Sequence, residues 1–576
     1  MKQLSVIVCL LLMPFHIVNA QVYFKDKAEE LNLMYSCGIT EYGNGISFYD
    51  YNNDGWDDLT VNTEAGERLL FFRNINGTYT EDLLIIPPLT DQTRQVNWVD
   101  IDNDGDKDLF VTSDVAGNRL YENTGNMVLT EITSAAGLPA ENMYTFGSSW
   151  GDYNNDGYLD LFVSNRDEVT FSIPNFLFRN NGDGSFTNVT SEAGLELTSH
   201  SSFCAVFFDF NNDGFQDIFV ANDRLIYPNF LYKNNGNGTF SEVGASSNSG
   251  TYMNGMSATV GDINNDGWFD IYCTNTTEGN ALFLNNGDET FTDIAVSSGT
   301  VFNAYGWGSV FLDSDSDMDQ DLYVSGLYNT TNTTLLPYGY FQNDGNNQFS
   351  EPINTGFEVD DRSSFSNAIG DYNNDGLIDM AVANNQDADL FIWKNETTNS
   401  NNWIKLKLEG TFSNRDGIGS VIEIGIGGES QFYYTACGEG YLSQNSQHEI
   451  IGLGTASSVD FIRIKWLSGV EDYFYNLAAN QSYDFTEGTG TLSDSNSEIS
   501  EDLELFPNPV EEFLQIRTDF PIEEITIFDS LGKTVLKAEI NDAESIKLSL
   551  NPLNSGVYFV QIKTITGNFI EKILKR

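Results

Sequence analysis

The stretch Asp50–Val61 reads DYNNDGWDDLTV, and close relatives of it begin at Asp100, Asp152, Asp209, Asp262, Asp313 and Asp371. Their first aspartates lie 50 to 58 residues apart. A period near fifty residues is the mark of a repeat architecture, and it has to be settled before any other feature is read.

Within each loop, positions 1, 3, 5 and 9 carry carboxylate or carboxamide oxygen. Position 1 is Asp50, Asp100, Asp152, Asp209, Asp262, Asp313 and Asp371. Position 3 is Asn52, Asp102, Asn154, Asn211, Asn264, Asp315 and Asn373. Position 5 is Asp54, Asp104, Asp156, Asp213, Asp266, Asp317 and Asp375, and position 9 is Asp58, Asp108, Asp160, Asp217, Asp270, Asp321 and Asp379. Alternate side chains on a tightly curled loop converge, and a set of hard oxygen donors suits calcium. Position 7 varies freely (Trp56, Asp106, Tyr158, Phe215, Trp268, Asp319, Leu377), as it would if its backbone carbonyl were the ligand. Position 6 is glycine in six loops, which fits a turn needing positive φ. Up to seven Ca²⁺ ions are expected.

An EF-hand begins the same way but needs a bidentate Glu at position 12. Here position 12 is Val61, Val111, Val163, Val220, Cys273, Val324 and Val382, inside an apolar strand. Each loop therefore joins two strands. Carboxylates about 4 Å apart repel by about 4 kcal/mol per pair at an effective dielectric near 20, so such a loop should open without a cation. The sixth loop departs from the pattern, with Met318 in place of glycine and extra aspartates at 315 and 319. It either bends differently or binds calcium less well.

Most repeats carry a second signature, two strands around an Asn/Gly turn, as in NFLFRNNGDGSFTNV from Asn175 and NFLYKNNGNGTFSEV from Asn229. Four strands per repeat, seven times over, make a seven-bladed β-propeller. YFKDKAEELNL from Tyr23 matches the last strand of a repeat, whereas the seventh repeat runs from LFIWKN into different sequence. Residues 22–28 are therefore expected to supply the outer strand of the last blade. With the metal loop as the turn between strands one and two, the other loops lie on the opposite face. Tyr42, Arg94, Tyr144, His200, Tyr252, Tyr305 and Arg362 precede the metal loops and are expected near the axis on that face, as candidate ligand-binding residues.

Composition narrows the partners. With 84 acidic and 27 basic residues the formal charge is −57, yet 13% aromatic content and strand-like alternation argue for a folded chain. That charge repels nucleic acid and anionic lipid. MKQLSVIVCLLLMPFHIVNA reads as a signal peptide (1–20) cleaved after Ala20; Cys9 offers a lipoprotein alternative, but Val8 stands where a small residue is needed. No later segment has the roughly 20 apolar residues of a membrane span. Cys37, Cys204, Cys273 and Cys437 are too scattered for a disulfide framework or a zinc site and are expected as buried free thiols.

Taken together, these loops and hairpins resemble FG-GAP/VCBS repeats of the kind found in integrin α-subunit propellers. Within that group the chain resembles the cartilage acidic protein/UnbV family over residues 22–486. The family resemblance implies an ASPIC/UnbV module after the propeller, and NNWIKLKLEGTFSNRDGIGSVIEI from Asn401, GEGYLSQNSQHEIIGLG from Gly438 and VDFIRIKWLSG from Val459 match it, with Leu467 where the family has proline. The last 74 residues resemble a type A C-terminal sorting domain of the type IX secretion system, on Phe506-Pro507-Asn508-Pro509, Gly532-Lys533, Gly556-Val557-Tyr558 and the basic end. The resemblance implies export across a bacterial outer membrane by that machinery.

The expected organisation is all-β: a propeller over 21–399, a small β-domain over 400–486, an acidic linker over 487–502 and a β-sandwich over 503–576. The leading functional expectation is a secreted or surface-attached, calcium-binding adhesion scaffold for an extracellular protein or glycan, and not an enzyme. The rivals are a polysaccharide-active enzyme and an accessory component of a surface assembly. Beyond the signal segment the only histidines are His200 and His448, and no H-E-x-x-H or phosphate-cradling motif is present.

Overall fold

The structure, a computed structural model, describes residues 21–491 apart from 85, 87–90, 330 and 333, and then 504–506, 510, 512–529, 533–551, 553, 556–564 and 567–576. The expected signal peptide and residues 492–502 of the expected linker lie outside the described residues. The chain divides into two compact units, Met1–Thr491 and Leu492–Arg576.

In the first unit, among the described residues, seven four-stranded antiparallel sheets follow one another along the chain. The first runs Ile46–Tyr49, Asp58–Val61, Leu70–Asn74, Tyr79–Glu81, and the next five repeat that order. In the seventh, Ser364–Gly370, Asp379–Asn384 and Phe391–Asn395 are completed by Phe24–Asp26, which pairs antiparallel with the last of them. The N-terminal segment thus supplies the outer strand, as its sequence implied.

Burial grades from axis to rim. The second strand is wholly buried (DLTV, DLFV), the third is buried at all but one or two positions, and the fourth shows only its first residue to the core. Each sheet is sandwiched between two others, so its inner strands need apolar residues on both faces and lose the period-two alternation. Separate apolar clusters fill the gaps between successive sheets. The last of them joins Ala368, Ala381 and Ile392 of the seventh sheet to Ile46, Leu59 and Phe72 of the first. The ring is therefore closed, and the arrangement is a β-propeller.

Residues 403–491 form two further sheets, Trp403–Glu409 with His448–Gly452 and Gln481–Thr486, and Val421–Ile426 with Glu429–Tyr434, Phe461–Lys465 and Glu471–Tyr475. They enclose a core of Ile404, Leu406, Ile422, Ile424, Ile462, Ile464, Trp466 and Phe485. This module extends further than its sequence suggested. Buried Glu487 accepts the backbone N–H groups of Thr411, Phe412 and Ser413 (2.8, 2.7 and 2.8 Å), and Thr491 pairs with Tyr473. Five residues expected as linker are thus part of the fold.

One segment leaves the module altogether. Residues 437–446 run along the propeller axis and touch the innermost strands of all seven sheets. Trp150 N–H donates to the Cys437 carbonyl (3.0 Å), Gly440 N–H to Ala258 (2.9 Å) and Ser446 N–H to Ile369 (2.9 Å). Ser443–Gln444 adds a parallel strand to Ile46–Ser47. Phe203 and Trp307 of two other sheets, with Phe365 of the seventh, pack with Tyr441 and Leu442, and the Gln444 side chain bonds the Trp98 backbone of the second sheet.

In the second unit, Glu504–Phe506, Phe513–Asp529, Thr534–Ser549, Gly556–Thr564 and Gly567–Lys575 are β-strands of one five-stranded sheet. Along one edge of Phe513–Asp529, Glu504–Phe506 pairs first and Gly556–Thr564 takes over from Ile522. Leu514, Ile516, Ile525, Ile527, Val560 and Ile562 line a common core.

Candidate metal loops and the opposite face

The seven loops share one hydrogen-bonded frame. In each, the position-1 aspartate accepts the backbone N–H groups of positions 5 and 6: Asp54 and Gly55 donate to Asp50 at 3.0 and 2.8 Å, and Asp375 and Gly376 to Asp371 at 3.0 Å. The position-9 aspartate accepts the N–H of an asparagine ending the third strand, Asn74 on Asp58 (2.7 Å) through Asn395 on Asp379 (2.8 Å). Position 5 accepts from position 7, as Trp56 N–H does on Asp54 (3.1 Å). Positions 1 and 9 are buried in all seven loops, while position 5 is exposed. Each carboxylate oxygen has two lone pairs, so these bonds orient the groups and leave acceptor capacity within the loop.

The glycines of position 6 take φ between 81° and 97°, and Met318 takes the same conformation at 89° in the sixth loop. That loop keeps the shared frame, with Asp317 and Met318 donating to Asp313 at 3.1 Å each. The expectation that it bends differently is overturned: the bonds to Asp313 hold Met318 in a conformation that side chains disfavour.

Electrostatically the loops are strained. Burial, reinforced by neighbouring carboxylates, pushes Asp58 up to about 9, Asp108 to about 8, and Asp100, Asp152 and Asp262 to about 7. Asp160, Asp217, Asp270, Asp313, Asp321 and Asp379 are raised well above the usual carboxylate range for the same reason. Two groups bring three carboxylate oxygens within 4.8 Å of one another, Asp100, Asp102 and Asp108, and Asp313, Asp315 and Asp317. These acidic clusters can hold a metal ion, and their all-oxygen donor set fits a hard cation.

Position 4 was not singled out from the sequence, and it links the loops. Its side-chain amide donates to the position-6 carbonyl of the next loop: Asn53 to Gly105 (2.9 Å), Asn103 to Gly157 (2.9 Å), Asn155 to Gly214 (2.9 Å), Asn212 to Gly267 (2.9 Å) and Asn265 to Met318 (3.3 Å). Asn374 closes the circuit on Gly55 (3.0 Å). The missing link starts at Ser316, whose side chain is shorter. All these residues have φ between 53° and 62°, a conformation asparagine tolerates better than most residues. The recurrence of Asn at this place was the available signal.

The module lies over this face. Lys405 Nζ stands 2.7 Å from Asn374 Oδ1 and 3.4 Å from Asp371 Oδ2, a buried cation within the seventh loop. Asp416 accepts the N–H of Asp100 (3.0 Å) and pairs with buried Lys107. Arg415 N–H donates to Asn103 (2.9 Å).

On the opposite face the seven candidate residues do not gather. Arg94 is buried, donates to the Gly43 carbonyl (2.6 Å) and Asp114 (2.7 Å), and lies over Phe146 (4.6 Å). Tyr42 packs against Phe146 and Phe203 and under Arg166, and its carbonyl accepts the Tyr441 hydroxyl (2.7 Å), so the axial segment reaches this face. Tyr144 is half-buried, its carbonyl taken by Arg166 N–H (2.9 Å). His200 lies against Tyr227 and Phe230, and Arg362 over Phe391; both pack against residues of third strands, away from the axis. Tyr252 and Tyr305 are exposed. The expectation that all seven lie near the axis is corrected: loops of unequal length set them at different radii. Arg166, which joins Tyr42 and Arg94 at the centre, was missed.

The four described cysteines are buried and free. Among the described residues no helix is long and apolar enough to cross a membrane.

Comparison with known proteins agrees with this architecture. "FG-GAP-like repeat" matches residues 50–111, 100–163, 165–220, 209–273 and 262–324, "ASPIC and UnbV" matches 410–492, and "Secretion system C-terminal sorting domain" matches 504–576. The chain is a secreted or cell-surface FG-GAP-repeat propeller protein with an ASPIC/UnbV module and a type IX sorting domain. It is similar to cartilage acidic protein 1 of Xenopus tropicalis, 23% identical over 422 residues, and of Mus musculus, 23% identical over 444 residues. These alignments take in 65% and 74% of this chain, and 62% and 61% of the relatives, under two thirds of their length. Among solved structures, BBS1N in complex with ARL6DN aligns with a TM-score of 0.38, 11% identity, and coverage of 62% of this chain and 93% of that one. The extracellular domain of BT4673 from B. thetaiotaomicron aligns at 0.35 with 10% identity, over 97% and 58%.

Proposed function

We propose that this protein is a calcium-stabilised binding scaffold, carried to the cell surface by the type IX secretion machinery, and that it has no catalytic activity. The observation that carries the reading is the set of buried position-1 and position-9 aspartates, held by backbone N–H groups and pushed toward protonation by burial and by one another. Ca²⁺ would be held by positions 1, 3, 5 and 9 with the position-7 carbonyl, and it would supply the charge that lets those carboxylates stay ionised at neutral pH. Extracellular calcium suits modules with dissociation constants of about 10⁻⁴ to 10⁻³ M. The ions on this reading hold the loops shut, and the binding surface lies elsewhere. A net charge of −57 argues against nucleic acid as the partner. An accessory role in a surface assembly is the second reading, favoured by the axial segment that fills the channel where small ligands would otherwise enter.

The test is thermal unfolding of the full secreted chain with calcium and with chelator, at pH 7.5. Chelation should lower Tm by more than 10 °C and calcium should restore it. An unchanged Tm would remove the metal from the mechanism.

A further inference from the structure

Two neighbouring loops of the face opposite the module are built to present apolar side chains. They join the second and third strands of the third and fourth sheets. Val169 and Phe171 stand 72% and 60% exposed on one, and Leu225 and Ile226 stand 54% and 72% exposed on the other. Exposed residues of this size on mobile loops would need no explanation. These loops are instead cross-braced. Asp167 accepts the N–H groups of Val169, Thr170, Ser172 and Ile173 at 2.7 to 3.2 Å, which fixes the first loop from within. Buried Arg166 bonds Asp223 (2.7 Å) and Glu168 (2.8 Å), and Arg224 Nε donates back to Glu168 (2.8 Å). Phe171 and Arg224 sit at φ of 52° and 83°, a conformation that bulky side chains disfavour and that is kept only where surroundings impose it.

The chemistry of the patch selects among occupants. A sugar needs free donors and acceptors around an aromatic platform, but here both guanidinium groups and all three carboxylates already bond one another or the backbone. A second copy of this chain carries the same −57 charge and is repelled, as is anionic lipid. A protein of opposite net charge is drawn in at long range, and rigid apolar anchors then give short-range affinity. We infer that these two loops are a docking site for an apolar surface of a net-basic protein. The inference rests on the reading of the chain as a binding scaffold and names its surface and partner class.

The test selects a random-peptide phage library on the calcium-loaded full chain and re-screens it on the variant Val169→Ser/Phe171→Ser/Leu225→Ser/Ile226→Ser. A double variant, Leu225→Asp/Ile226→Asp, guards against loss of the first to misfolding. The expected peptides combine Leu, Ile, Phe or Trp with Lys or Arg, and bind each variant at least tenfold more weakly at unchanged Tm. Peptides that bind all three proteins equally, an acidic consensus, or no selected peptide would overturn the assignment. So would a glycan-array, vesicle or self-association signal that the variants lose in place of peptide binding. The chelator melting curve reads the calcium mechanism separately: peptide binding that survives without any calcium effect on Tm leaves the docking site standing and fails only the metal reading.

Discussion

Asparagine at position 4 of the loops does two things at once, and they can be separated. Its left-handed backbone shapes the turn, and its amide ties one loop to the next. For Asn212, which bonds the Gly267 carbonyl, glycine keeps the backbone and removes the bond, whereas alanine loses both. We expect Asn212→Gly to cost about 1 kcal/mol in denaturant unfolding, and Asn212→Ala about 1 kcal/mol more. Equal costs would mean that the backbone conformation is not the limiting factor. Glu449 gives a pH signature at the same scale. It faces a cavity of about 80 Å³ that Glu439 also lines, and burial followed by that neighbour pushes it up to about 8. A carboxyl whose folded value is raised stabilises the fold fully below its unfolded value, and that contribution is lost as pH rises through the folded one. Glu449→Gln should therefore raise Tm by a few degrees at pH 9 and leave it nearly unchanged at pH 4.5. A larger gain at pH 4.5 would contradict the assignment.

The strand Phe24–Asp26 is short, yet it is the element that joins the chain's beginning to its last propeller sheet. Phe24 is fully buried and stacks on Phe357 with ring centroids 4.7 Å apart. Phe24→Ala should cost about 3–5 kcal/mol in denaturant unfolding, and a cost below 1 kcal/mol would show that the ring holds without it. This element was legible because YFKDKAEELNL repeats the exit of an internal repeat while the seventh repeat lacks one. The axial segment was not legible in that way. GEGYLSQNSQHE has the look of a surface turn within a small β-domain, and its partners lie up to 399 residues away. Gln444 alone bonds Ser47, Trp98 N–H and the Trp98 carbonyl at 2.7 to 2.9 Å.

For the whole molecule, threading that segment through the ring couples module and propeller. Calorimetry should show residues 21–491 unfolding in one transition, and Gln444→Ala should lower it as a unit by about 2–4 kcal/mol, since it strands buried backbone groups of Trp98. Two resolved transitions, with the module melting first, would contradict the coupling. The sequence by itself determined the repeat, its four-strand unit, the loop positions that bear oxygen and the closing strand, because each is a local pattern copied seven times in register. Only the tertiary structure decided that the module covers the loop face, that Lys405 enters the seventh loop, that the channel is filled, and that Arg166 rather than His200 or Arg362 stands at the centre of the far face. Those outcomes rest on contacts between distant parts of the chain, where neither spacing nor periodicity leaves a trace and only packing assigns the neighbours.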